Sequence, residues 1–365
     1  MKRSNLVRMD NAFLPFYWLT KQLKSIAPRR NQTSHQVVIL KLFGVGSITR
    51  IAHVLQNSKV EKKAVFLTLK RNKGVVDLLG LEAIYINDKN PFVLLFSAMQ
   101  RVVTIWQLRK AEIVDMERSS NMAGMYSLIL SIRKKHAQFK VEGENVEKKN
   151  RRIISLEKKA ATSGIAEMLH AEPLVWEDTP VQSKSIKRIV ININAGGYLP
   201  ERKFPMEKWS QLIKGLAELF PEGVFYFSGL ESERKGVEAF CKRIAAFLPT
   251  SRCTVLAGEQ SLPSFVDFLK ASDLFLTNDS GPLHLARYFG VRTVAIWGPT
   301  SSYLVGYPNS ARMLNLSHEL ACSPCFISPK SEVAKACNGK LSCFHEMDVE
   351  KNLLKINEFV NNGNQ

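Results

Sequence analysis

One stretch limits this chain more than any other. Asp273-Leu274-Phe275-Leu276-Thr277 runs straight into Asn278-Asp279-Ser280-Gly281-Pro282. Leu283 to Phe289, Gly290, and Arg292 to Trp297 follow. The apolar run reads as a buried strand. Asn-Asp-Ser-Gly-Pro joins turn residues to helix-start residues. His284 to Phe289 read as the first turns of a helix, with Gly290 as its stop. The next strand comes at once. In such a strand–loop–helix–strand unit, unpaired backbone N–H groups and the positive end of the helix dipole meet at one loop, which suits a phosphate or diphosphate. His284, in the first turn, is placed to reach the same anion. The alternative is an ordinary βαβ turn in which Asp279 only caps the helix.

The chain has 365 residues, enough for two domains of ordinary size. No window of 18 apolar residues occurs, so no transmembrane helix is expected. The apolar part of the N-terminus, Ala12 to Leu19, is short and contains Pro15, and no small-residue cleavage site follows. A signal peptide is therefore not expected, and the expected location is the cytoplasm. The formal charge is +18. That charge suits nucleic acid, an anionic membrane surface or phosphorylated lipid acceptor, or solubility alone. No zinc finger, RNA-recognition signature or arginine-loaded helix is present, so no specific nucleic acid is expected.

Residues 1–35 read as a basic amphipathic extension. Phe13, Phe16, Tyr17, Leu19, Leu23 and Ile26 fall on one helical face, with Lys21 and Lys24 between them. Such a helix either lies on a membrane surface or packs on the body of the protein. Residues 36–180 form the first α/β domain. It opens with the strand Gln36 to Leu42, the glycine turn Phe43-Gly44-Val45-Gly46-Ser47 and a helix from Ile48. Further strands are expected at Lys63 to Thr68, Ala83 to Ile86 and Ala111 to Met116, with a long helix from Pro91 to Gln107 and another from Asn121 to His136. Asp115 and Glu117 follow the last of these strands, at the end where open α/β sheets bind ligands. A helix cap and a surface ion pair are the alternative there. The charged stretch Lys140 to Lys159 reads as a surface excursion, and Glu172 to Lys187 as the interdomain linker.

The second domain, residues 181–348, opens with the strand Arg188 to Ile193, then Asn194-Ala195-Gly196-Gly197 and Arg202-Lys203-Phe204-Pro205. Gly223 to Phe227 is its next strand, leading to Ser228-Gly229-Leu230-Glu231-Ser232-Glu233. Residues 349–365 form a terminal helix and tail. Four of the six cysteines, Cys322, Cys325, Cys337 and Cys343, lie near the end at C-x2-C-x11-C-x5-C spacing. They read as packed thiols, a redox pair or an all-thiolate zinc site, and the spacing matches no common finger.

Asp279-Ser280-Gly281-Pro282-x-His284-x-Ala286, followed by Gly290-x-x-Thr293-Val294 and Gly298-Pro299-Thr300, resembles the donor-site signature of glycosyltransferase family 9, the ADP-heptose:lipopolysaccharide heptosyltransferase group. The resemblance runs from about Val37 to the C-terminus and is strongest after Ile189. It implies the GT-B fold, two Rossmann-like domains with parallel sheets facing a central cleft. It also implies inverting transfer from a nucleotide-diphosphate sugar, ADP-heptose foremost, with no cofactor or metal. The implied acceptor is a lipopolysaccharide-core or related lipid-linked saccharide. The implied protein is a monomer peripheral to the inner face of the inner membrane. Arg202 falls at the family's diphosphate-binding basic position and Glu233 at its ribose-binding position. Asn194, Ala195, Gly196, Asp279, Ser280, Gly281, Pro282 and His284 complete the implied donor site. Gly44 and Gly46 would let backbone approach the acceptor and donor sugar. Family members usually place the catalytic Asp at the end of that turn, where this chain has Ser47. A hydroxyl is no carboxylate base at neutral pH, so Asp115, Glu117 and His53 are the further candidates.

Two other classes compete. One is a sugar-nucleotide-binding or membrane scaffold protein of the same fold without the base. The other is a nicotinamide-dependent Rossmann enzyme, disfavoured because Thr49 stands where the third glycine after Gly44 and Gly46 would be.

Overall fold

The structure, a computed structural model, describes residues 36–57, 63–90, 111–117, 136–140, 151–155, 161–172, 185–196, 199–320, 322–325 and 340–361. It also describes positions 13, 15, 93–94, 96–97, 100–101, 123, 125–126 and 174. The chain divides into two compact units, Met1–Leu174 and Val175–Gln365.

In the first unit, β1 (Gln36–Leu40), β2 (Lys63–Leu69), β3 (Glu82–Ile86), β4 (Glu112–Asp115), β5 (His136–Lys140) and β6 (Arg151–Ser155) form one sheet in the order β3-β2-β1-β4-β5-β6. Every pairing is parallel. Helices α1 (Val45–Asn57), α2 (Lys73–Leu78) and α3 (Ala161–Met168) are its described full helices. Val38, Leu40, Leu42, Leu67, Leu69, Ile86 and Ile113 form a core that also takes in Phe13. Phe13 is 2 % exposed, so that residue of the amphipathic extension packs on the protein body. The other apolar residues of that face lie outside the described residues. Two strands, β5 and β6, differ from the expected pattern. Their residues, His136–Lys140 and Arg151–Ser155, fall at the end of an expected helix and inside the expected surface excursion. Dense charge hid both, because such strands lack the long apolar runs of β1 and β2.

The second unit repeats the order. β7 (Arg188–Asn192), β8 (Val224–Phe227), β9 (Cys253–Val255), β10 (Leu274–Asn278), β11 (Thr293–Trp297) and β12 (Met313–Ser317) form the parallel sheet β12-β11-β10-β7-β8-β9. All residues of β10 and β11 are buried, as unalternating apolar strands of a two-face-covered sheet should be. Helices α4 (Met206–Leu219), α5 (Arg234–Ile244), α6 (Leu262–Lys270), α7 (Gly281–Tyr288), α8 (Ser302–Val305), α9 (Ser342–His345) and α10 (Val349–Asn361) follow in chain order. Trp209, Leu212, Ile213 and Leu216 recur at three- and four-residue steps and bury one face of α4.

The terminal helix α10 packs on α4 and β12 within this unit. A Cβ at Gly215 would stand 2.1 Å from Leu353 Cδ1, so the missing side chain leaves the space that Leu353 fills between the two helices. Ile356 and Val360 enter the same core. No helix among the described residues is long and apolar enough to cross a membrane.

Candidate functional site

Both sheets reverse their winding at their first strand, between β1 and β4 and between β7 and β10. Ligands of open parallel sheets bind outside the C-terminal ends of the strands at such a switch point. In the second unit Thr277 pairs in register with Asn192 there. Asn192 Nδ2 lies 3.4 Å from Thr277 Oγ1 and 3.3 Å from Ser280 Oγ, and the two hydroxyls are 3.0 Å apart. Asn278 joins a third segment. Its Oδ1 accepts from Phe204 N–H at 3.0 Å, and its Nδ2 donates to Asn194 O at 3.3 Å. Phe204 is held in turn by edge contacts with Trp209 and Phe344. These bonds carry Arg202 and Lys203 to the end of β10.

The cap of α7 differs from expectation. Its N-cap is Ser280, with extended backbone and no side-chain cap bond, and Pro282 sits in the first turn. Asp279 is not the cap. Its buried carboxylate lies 3.3 Å from Arg202 Nη1 and 3.8 Å from His284 Nε2. A guanidinium offers an ionic donor, and a charged donor outcompetes a backbone amide for a carboxylate. The first-turn N–H groups from Gly281 onward therefore have no side-chain acceptor. They remain, with the dipole, for an anion.

His284 Nδ1 is 2.8 Å from the Tyr307 hydroxyl, and the rings meet edge to face. Nε2 faces a carboxylate, so the tautomer with Nε2–H and Tyr307 O–H as donors suits both contacts. At 3.8 Å the Asp279 contact is too long for a hydrogen bond and stands as an electrostatic one. Arg202 is held by Ala195 O at 3.2 Å as well as by Asp279. Its neighbour Lys203 is half-buried, and that burial holds its ammonium below the usual lysine range against the opposing pull of Glu233.

Glu233 ends a short 3-10 turn, and its Oε2 accepts from Leu230 N–H at 2.8 Å. Asn194 Nδ2, buried and without a hydrogen-bond partner, stands 3.3 Å from where a Gly229 Cβ would lie. Buried orphan donors are rare, and one aimed beside Glu233 suits a ligand acceptor. Gly196 follows with φ +71. Asn194, Ala195, Gly196, Arg202, Glu233, Asp279, Ser280, Gly281, Pro282 and His284 all belong to this one unit. Sequence reasoning missed Asn192, Asn278, Lys203 and Tyr307. Lys203 adjoins Arg202 in the chain and carries a charge. The two asparagines signal only as strand-end turn formers.

The first unit's switch point is built differently. Gly44 has φ +90, and its carbonyl accepts from the N–H groups of Ser47 and Ile48 as α1 begins. Gly46 lies in the first turn of that helix. Ser47 Oγ accepts from Arg50 Nη2 at 3.2 Å. Glu117, a candidate base, has both oxygens occupied. Oε2 accepts from Leu42 and Phe43 N–H at 2.8 and 3.0 Å, and Oε1 pairs with buried Lys41 at 3.0 Å. This clamps the end of β1 before the glycine turn, which is a structural use of the carboxylate. Asp115 is fully buried and its Oδ1 accepts from Glu117 N–H at 3.0 Å. His53 is half-buried on α1.

Among the described residues no three His, Cys, Asp or Glu groups converge on a metal position. Cys322 is exposed and Cys343 buried, and Cys337 lies outside the described residues. Cys241 and Cys253 are half-buried and hydrogen-bonded to each other.

The family model of glycosyltransferase family 9 (heptosyltransferase) matches residues 118–335. The chain belongs to this family. Among curated family relatives, lipooligosaccharide heptosyltransferase 2 of Campylobacter jejuni is 32 % identical over 125 residues, which is 33 % of this chain and 39 % of that protein. Lipopolysaccharide heptosyltransferase 2 of Escherichia coli is 29 % identical over 163 residues, 40 % of this chain and 44 % of that protein. The chain spans under half the length of the curated relatives it matches. Among solved structures, E. coli ADP-heptose lps heptosyltransferase II superposes with a TM-score of 0.63 at 15 % identity, over 89 % of this chain and 98 % of that one. That likeness shows the fold. The two parallel sheets are the Rossmann-like domains of a family 9 GT-B protein.

Proposed function

We propose that the chain is an inverting glycosyltransferase that takes a sugar, foremost heptose, from ADP-heptose or a related nucleotide-diphosphate sugar. The acceptor is a lipopolysaccharide-core or related lipid-linked saccharide. One observation carries this reading. At the β7–β10 switch point an α-helix presents first-turn N–H groups that no side chain caps, with Arg202 and His284 both gathered on Asp279 beside them. An acceptor hydroxyl displaces the diphosphate at the anomeric carbon, and negative charge grows on the departing β-phosphate. Fixed donors aimed at that charge lower the barrier. Arg202, Lys203, His284 Nε2–H and the α7 dipole are the groups for it, while Glu233 and Asn194 serve the nucleoside. The names of the curated relatives, heptosyltransferases all, support heptose as the sugar. The first unit takes the acceptor beside the 43–47 turn. The reading includes a monomer in the cytoplasm acting at a membrane face, and the charge of +18 supports an anionic surface there.

A second reading has a specific observation behind it. Ser47 replaces the family acid and Glu117 is spent on the β1 clamp. A donor-binding protein without turnover would look the same. Purified protein assayed for release of ADP, UDP or GDP from sugar nucleotides, with and without lipopolysaccharide precursors, separates the two. Release that depends on acceptor supports the transferase. Calorimetric ADP binding without release leaves the binding protein, and no nucleotide binding at all sinks both.

A further inference from the structure

Away from the β7–β10 switch point, the second unit brings two thiols into contact. Cys241 lies about two turns into α5, and Cys253 is the first residue of β9. They are hydrogen-bonded to each other. Both border the main core of the unit, and both are half-buried rather than sealed inside it. Packing alone would ask there for two small apolar side chains. Two thiols in contact add a chemistry that packing does not use.

The same two elements are also joined through Arg234, the first residue of α5. It donates from Nη1 to Ala257 O at 3.1 Å and from Nη2 to Glu259 Oε1 at 3.0 Å. Those acceptors lie in the segment that follows β9, and Glu233 directly precedes α5. The thiols join the helix to the strand further along. β9 has three residues and is the outer strand of its sheet, paired with β8. Such a strand can follow the small shift that draws two sulfurs from hydrogen-bonding contact to a bond of about 2 Å.

The two sulfurs are not equivalent. The hydrogen bond from Cys241 holds the Cys253 thiol below the ordinary cysteine range, against the opposing effect of burial. The same bond, together with burial, pushes Cys241 up. The thiolate is the form that attacks, so Cys253 reacts first and Cys241 resolves. We propose that Cys241 and Cys253 form a modification site at which a hydroperoxide converts the dithiol into a disulfide that staples α5 to β9. Cys253 sulfur attacks a peroxide oxygen. The S–O bond forms, the O–O bond breaks, and the sulfur gives up two electrons that the peroxide takes. Cys241 sulfur then displaces hydroxide from the Cys253 sulfenic acid. The S–S bond forms, the S–O bond breaks, and the Cys241 proton leaves with the hydroxide as water. With hydrogen peroxide the sum is two thiols and one peroxide to one disulfide and two waters. A small dithiol reverses it by exchange.

The test uses the reduced full chain, freed of reductant and treated with hydrogen peroxide. Lys242, Arg243 and Arg252 let trypsin part the two cysteines, so a bond between them shows as two joined peptides. The Cys241–Cys253 link should be the main product, and dithiothreitol should undo it. The urea-unfolded chain should scatter its links over the six cysteines. Dimedone should label Cys253 in Cys241→Ser and leave Cys241 unlabelled in Cys253→Ser. Amides of β9 should exchange at least about tenfold more slowly in the linked chain than in the reduced one. The proposal is overturned if the folded chain forms no Cys241–Cys253 link, if it scatters its links as the unfolded chain does, or if exchange at β9 is unchanged. Dimedone on Cys241 alone overturns the order of attack. The link is read in the unaltered chain, so it stands whether or not a serine variant folds. None of these measurements needs nucleotide binding, so their failure and that of the transferase reading are separate.

Discussion

Asp279→Asn separates two uses of one side chain. Asparagine caps a helix about as well as aspartate, so if Asp279 served α7 as a cap the substitution would be close to neutral. As the partner of Arg202 it should cost stability. The contact is 3.3 Å, with side-chain exposures of 17 % for Arg202 and 5 % for Asp279. Removing one member of a fully buried pair costs about 3–5 kcal/mol, and an exposed pair contributes about 0–1 kcal/mol. Arg202 keeps its bond to Ala195 O and some contact with water, and the asparagine oxygen still accepts. The expected loss is therefore about 2 kcal/mol, between those limits. Urea denaturation at neutral pH, followed through the second unit's transition, measures it. A double-mutant cycle with Arg202→Met isolates the pair, with an expected coupling of about 1–2 kcal/mol. Independent sites add within about 0.5 kcal/mol. A near-neutral Asp279→Asn, or additivity in the cycle, would refute the pairing and return Asp279 to the cap.

Glu117→Gln should destabilise the first unit by about 3 kcal/mol, because Lys41 is left buried and unpaired, and Lys41→Met in addition should recover part of that; an unchanged melt with abolished transfer would instead make Glu117 a base. Tyr307→Phe should cost about 1–2 kcal/mol by orphaning buried His284 Nδ1, whereas His284→Ala should lower acceptor-dependent nucleotide release more than the melting temperature; equal release would take His284 out of the site. Burial lowers the Lys203 pKa in the fold, so its charge opposes folding at pH values below the ordinary lysine range and not above it. Lys203→Met should therefore raise thermal stability near pH 7, lose that gain as pH climbs through the ordinary lysine range, and weaken ADP binding; a gain that persists at high pH would point to packing alone.

The loop between β10 and α7 was legible in the chain because its signals are local. An unalternating apolar run, the Asn-Asp-Ser-Gly-Pro break and a glycine stop specify β10, the turn and α7 within about 18 residues. The glycine turn after β1 was legible for the same reason, since a positive φ at Gly44 needs only glycine's missing Cβ. The strands β5 and β6 were not, because their short sequences carry no periodicity of their own; β5 is recruited by the hydrogen-bonding edge of β4, and β6 by that of β5. The partners of the carboxylates were not legible either. Asp279 meets Arg202 because β7 lies beside β10 and Asn278 ties down Phe204 N–H, while Glu117 meets Leu42 and Phe43 because β4 lies beside β1. Composition and spacing set which groups a segment can offer. Strand order sets which of them come within bonding distance, and strand order is decided by how the whole apolar surface is buried rather than by any one segment.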